Sequence, residues 1–159
     1  MKLCLLRFLS ASVPGLMLAL LAAGCSSFES AWRQASQTVY PTNTMAGPWE
    51  GSWRSEVTAH HDQLRCLVAQ ETNGVFSARF HAQYKKLFRF SFSYTVRLAA
   101  QLRDRKCHFE GEADLGWYAG GIYRYRGFAT ATNFFSSYES KYDHGTFQMT
   151  RPRPANPPH

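Results

Sequence analysis

Three short clusters in this 159-residue chain hold side-chain types that do chemistry. Asp143-His144-Gly145 offers an acid–base pair, because a carboxylate beside an imidazole can orient and polarise it. The same three residues make a tight turn, and Asp and Gly more often mean a turn than a catalytic pair. His60-His61-Asp62 has metal-ligand types. Adjacent His side chains diverge, however, and no third ligand stands at a recognisable spacing, so a solvated turn is favoured. Glu110, Glu112 and Asp114 alternate along one face, as calcium ligands or acid–base carboxylates could. The plainer account pairs them across strands with Arg124 and Arg126. G-x-S-x-G, P-loop and H-E-x-x-H patterns are all missing. No catalytic residue, metal or cofactor is therefore assigned, and an enzyme is the least favoured class.

Two further groups bear on binding. Arg79, His81, Arg89 and Arg97 share one face of a hairpin pattern, with Lys85 and Lys86 at its tip. An ordinary solvated face explains them. The sharper reading is a patch for anionic lipid, lipopolysaccharide phosphates or an acidic envelope protein. Cys66 and Cys107 both share parity with apolar neighbours, so both should face inward. They are candidates for a disulfide; the objection is that they fall on non-adjacent strands of a meander, and the alternative is two buried thiols.

The elements that must position these groups read as strands. Phe88, Phe90, Phe92, Tyr94, Val96 and Leu98 alternate with Arg89, Ser91, Ser93, Thr95 and Arg97. Phe76, Ala78, Phe80, Ala82 and Tyr84 repeat the pattern one segment earlier. Strict period-two alternation marks half-buried strands. Apolar must pair with apolar, which favours Tyr84 opposite Phe88, Ala82 opposite Phe90 and Ala78 opposite Tyr94. Further strands are expected at 49–58, 63–71, 106–113, 122–129, 131–137 and 146–151, with turns at Asn73-Gly74 and through the glycine-rich 116–121. The fold class is all-β, a small antiparallel barrel of about eight strands, ahead of an open sandwich. A membrane barrel would turn the Phe face outward to lipid, but only two strands alternate long enough for that. Many inward rings nearly fill so small a barrel, leaving room for a small, partly open pocket.

The start of the chain has another character. Lys2 and Arg7 precede the apolar run LMLALLAA, which is too short for a permanent span. Leu21-Ala22-Ala23-Gly24-Cys25 follows, and it resembles the lipobox of bacterial lipoproteins. That resemblance implies a signal peptide over 1–24, cleavage before Cys25 and lipid on its sulfur and amine. More than one acyl chain anchors stably. Ser26, rather than Asp, implies the outer membrane at its periplasmic face. Residues 25–46 are then the lipidated N-terminus and a tether, with a short helix near Phe28–Gln37. Residues 47–151 form the barrel, and the proline-rich 152–159 an extended tail. Losing Lys2 and Arg7 lowers the formal charge from +7 to +5. Export makes nucleic acid a poor partner.

Gly51-Ser52-Trp53 opens the first strand, and Gly47-Pro48-Trp49 precedes it. G-x-W at the start of an eight-stranded barrel resembles the lipocalin and calycin pattern, although the family's T-D-Y motif is missing. The resemblance implies that Trp53 closes the barrel bottom, with Arg151 packed over it. The expected function is an envelope-anchored, non-enzymatic binding or interaction module. A structural or assembly lipoprotein without a small ligand is the alternative.

Overall fold

The computed structural model describes residues 28–85 and 89–153. The expected signal peptide 1–24, Cys25, Lys86 and the tail after residue 153 lie outside the described residues. Eight strands follow one another: β1 Gly47–Ser55, β2 His61–Thr72, β3 Val75–Lys85, β4 Arg89–Arg103, β5 Lys106–Asp114, β6 Ile122–Ala129, β7 Asn133–Glu139 and β8 His144–Thr150. Each pairs antiparallel with the next, and β8 pairs with β1, so the sheet closes into a barrel without free edges.

Period-two patterning decides which face turns in. Phe76, Ala78, Phe80 and Ala82 of β3 are buried, as are Val96 and Leu98 of β4 and Cys107 and Phe109 of β5. The aromatic face is thus the interior, and the Arg, Ser and Glu face is the outside. This is the reverse of a lipid-facing barrel.

The β3–β4 register corrects the expected one. Tyr84 pairs with Phe90, Ala82 with Phe92 and Ala78 with Val96. Each β3 residue thus meets a β4 residue two positions later than expected. A two-residue slip keeps each side chain on its face, so hydrophobic patterning does not distinguish the two registers. Chain closure selects one, and Phe80 then lies opposite Tyr94 with ring centroids 5.3 Å apart.

Closure also needs residues without side chains at Gly51, Gly111, Gly127 and Gly145, where an added Cβ would meet backbone of a neighbouring strand. A Cβ on Gly127 would lie 2.0 Å from the Phe135 carbonyl oxygen and 2.9 Å from Cζ of Phe109. Glycine there lets β6 and β7 approach and lets Phe109 stack on Phe134 at 4.8 Å.

The segment ahead of the barrel packs on it. Residues 28–36 form a helix, α1. Nine residues are too few for a stable free helix in water, so packing holds it. Phe28 is fully buried, stacked on His81 at 4.5 Å, and Arg79 lies 5.3 Å from its ring. Trp32 is buried beneath Arg65, which also pairs with Glu29 at 3.1 Å. Burying a side chain of this size contributes roughly 1.5–3 kcal/mol. Met45 is also fully buried, and its carbonyl accepts a hydrogen bond from the Trp49 indole at 2.9 Å.

Candidate functional site: an aromatic cavity at the open end

The two ends of the barrel differ. At one end, the Arg151 guanidinium lies 3.7 Å from the Trp49 ring centroid and donates to the carbonyls of Thr44 at 3.1 Å and Pro48 at 3.4 Å. Tyr40 adds a ring 5.8 Å away. Below the stack, Trp49 meets Phe134 at 5.6 Å. This end is sealed.

The other end carries the β1–β2, β5–β6 and β7–β8 connections, together with the end of β3 and the start of β4. It holds a cavity of about 410 Å³. Small-molecule sites occupy roughly 300–1,000 Å³. Trp53, Phe92, Tyr94, Tyr123, Tyr125, Tyr138 and Phe147 supply its rings, and Leu64, Ala82, Leu115 and Ala119 complete its apolar wall. The rings brace one another: Tyr138 lies 5.0 Å from Phe147 and 6.0 Å from Tyr123. Burial pushes the Tyr125 and Tyr138 phenols well above the usual tyrosine range, and the Asp143 charge adds to the effect at Tyr138. Both hydroxyls therefore stay neutral.

Asp143 is the one described lining residue with a carboxylate. Its Oδ1 accepts a 2.6 Å hydrogen bond from Ser55, and its Oδ2 accepts one from the Tyr138 hydroxyl at 3.1 Å. Ser55 is buried and held in turn by the Thr58 amide at 3.0 Å. The β7–β8 turn is fixed from within, since Ser140 Oγ accepts from the Asp143 amide at 3.1 Å. The cavity lip is thus a braced polar corner on an aromatic wall. Outside it, Trp117, Ile122 and Tyr142 are exposed beside the mouth and line a shallower groove with Arg124 and Lys141.

The candidates read from sequence are distributed as follows. Trp53 does not close the bottom: it lines the cavity and stacks on His60 at 6.4 Å, at the opposite end from Arg151. Trp49 takes the place assigned to Trp53, because Gly47-Pro48-Trp49 enters the strand one step earlier and reaches the end where β8 finishes. Cys66 and Cys107 are buried and unbonded, which corrects the disulfide reading. They lie on β2 and β5, with β3 and β4 between them in the barrel order. Burial pushes both thiols above the ordinary range.

The basic patch is not an open wall. His81 is buried beneath Phe28, with Ser93 Oγ 2.7 Å from its Nδ1, and Arg79 covers the same ring. Arg97 pairs with Glu71 at 2.7 Å. Lys85 and Arg89 pair across the end of the β3–β4 hairpin, at the open end. Glu110 and Glu112 sit opposite Arg126 and Arg124, at 3.7 and 3.9 Å. His61 is exposed, and His144 lies 3.7 Å from Glu56. Among the described residues, no group of three His, Cys, Asp or Glu could hold a metal.

Sequence reasoning missed Tyr123, Tyr125 and Tyr138 as a site and weighed Asp143 only beside His144. The Tyr-Arg-Tyr-Arg alternation at 123–126 carried the signal for two of them. Nothing local could show that Asp143 meets Ser55, 88 residues earlier. Compared with family models, with curated proteins and with solved structures, the chain matches none.

Proposed function

We propose that this chain is a bacterial envelope lipoprotein, anchored through Cys25, whose barrel is a non-enzymatic module that binds a small, largely apolar molecule. One observation carries the reading: a braced aromatic cavity of about 410 Å³ at the open end of a barrel whose other end is sealed. Sites of this kind bind by burying apolar surface and orient their ligand with a few polar groups. The sealed end, with a G-x-W tryptophan under an arginine, adds support for a lipocalin- or calycin-like barrel. The lipobox-like Leu21–Cys25 supports the anchor and placement at the outer membrane. Lys85 and Arg89, paired at the end of the β3–β4 hairpin, support contact with anionic lipid or lipopolysaccharide near the mouth.

The exposed Trp117, Ile122 and Tyr142 favour a second reading, a lipoprotein that docks on an envelope protein through this rim. Native mass spectrometry separates the two. The anchored protein, gently extracted from its membranes, is measured beside a soluble Cys25→Ser form. A discrete added mass on both forms supports the ligand. A bare soluble form that crosslinks to a fixed partner through the rim overturns it in favour of assembly.

A further inference from the structure

We infer that the cavity takes an organic cation: an ammonium group carried on a small apolar body. This deepens the binding-module reading and rests on it. Seven of the twelve residues lining the cavity are aromatic, and aromatic faces are electron-rich and attract cations within about 6 Å. The wall also holds one anion. Asp143 receives one hydrogen bond on each carboxylate oxygen, while a carboxylate can accept about four. Among the described residues, no ion pair includes it. The cations nearest in the chain are engaged elsewhere: Lys141 sits 5.1 Å from the Tyr142 ring, and His144 faces Glu56.

A half-buried carboxylate with no counter-ion among the described residues, beside apolar surface, is costly to maintain. Ser55, Tyr138 and the Ser140 turn hold it in one position all the same. The Tyr138 ring links the two parts of the site. Its hydroxyl donates to Asp143, and its ring packs against Tyr123 and Phe147. An ammonium at this corner would meet the carboxylate on one side and ring faces on the other. A neutral ligand would leave the carboxylate desolvated, and an anion would be repelled. The positive overall charge slows the approach of a cation, but it does not decide the pairing inside a water-poor pocket.

The test uses the soluble Cys25→Ser chain and three probes of matched shape: benzyltrimethylammonium, its neutral isostere neopentylbenzene, and the anion benzylsulfonate. Binding is read from tryptophan fluorescence, since Trp53 lines the cavity, and from added mass in native spectra. The cation is expected to bind about tenfold or more tighter than the isostere, with the sulfonate weakest. Asp143→Asn is expected to bring the cation-to-isostere ratio near one. If the isostere or sulfonate binds as tightly as the cation, the cavity binds but the cation inference is wrong. If none of the probes binds the folded chain, the binding-module reading falls with it. Should Asp143→Asn fail to fold, the comparison of the three probes on the unsubstituted cavity still decides.

Discussion

Arg151→Ala should open the sealed end at a cost that can be worked from its contacts. The guanidinium lies on the Trp49 ring at 3.7 Å and is half-buried, and burial lowers its affinity for a proton. A partly desolvated cation–π contact contributes roughly 1–2 kcal/mol. The 3.1 Å bond to Thr44 adds about 1 kcal/mol, and the 3.4 Å bond to Pro48 less. The sum is about 2–4 kcal/mol. For a domain of this size, 1 kcal/mol corresponds to about 4 °C, so Tm should fall by roughly 8–16 °C. Arg151→Lys keeps the charge but loses the planar stack and fork, and should recover less than half of the loss. The assay is a thermal and denaturant melt of a double-mutant cycle with Trp49→Leu, which should show coupling of about 1 kcal/mol or more. A parallel cycle with Trp53→Leu should be additive, because Trp53 lies at the other end of the barrel. Additivity with Trp49, or coupling with Trp53 instead, would refute the assignment of the closing pair.

Four other outcomes follow from the same structure. Phe28→Ala should free α1 without unfolding the barrel, so that amide exchange speeds up across residues 28–36 and stays slow in the strands; equal loss of protection in β4 would refute this. Burial lowers the His81 pKa from 6.5, against the opposing pull of Glu29 and alongside Arg65 and Arg79. The unfolded chain therefore takes up the proton first. Docking of α1 is at full strength above about pH 6.5 and weakens as pH falls through the lower folded value, a trend that His81→Phe should abolish in exchange measurements at pH 7.5 and 5. Cys66 and Cys107 should resist thiol reagents until the barrel unfolds and then titrate as two thiols, with no change in Tm on adding a reductant. Gly127→Ala should cost several kcal/mol or prevent folding, because its Cβ meets backbone at 2.0 Å; Gly121→Ala, facing open space at φ +77°, should cost only about 1–2 kcal/mol on the same melt.

Local sequence decided whatever depends on period and parity. The alternation in β3 and β4 determined that both are strands and which faces turn in, because a side chain's face follows from its position modulo two. The pairing of Glu110 and Glu112 with Arg126 and Arg124 was legible for the same reason. Turn chemistry marked Asn73-Gly74 and the 116–121 bend, where Trp117–Ala119 makes a single 3-10 turn. The short helix near Phe28–Gln37 was legible too, but its docking was not, since Phe28 and Trp32 meet partners more than 30 residues away.

Tertiary structure alone decided the rest. It placed the β3–β4 register two residues from the favoured one, because both registers bury the same face. It chose Trp49 over Trp53 as the closing indole, because two G-x-W triplets four residues apart look alike until β8 shows where it ends. It kept Cys66 and Cys107 apart, because two strands stand between them. It also gathered Ser55, Tyr138 and Asp143 at one lip of an aromatic cavity, since barrel closure brings the end of β1 against the β7–β8 turn. Composition sets how many rings a barrel must accommodate; only the closed geometry determines that they leave a space and which charge faces it.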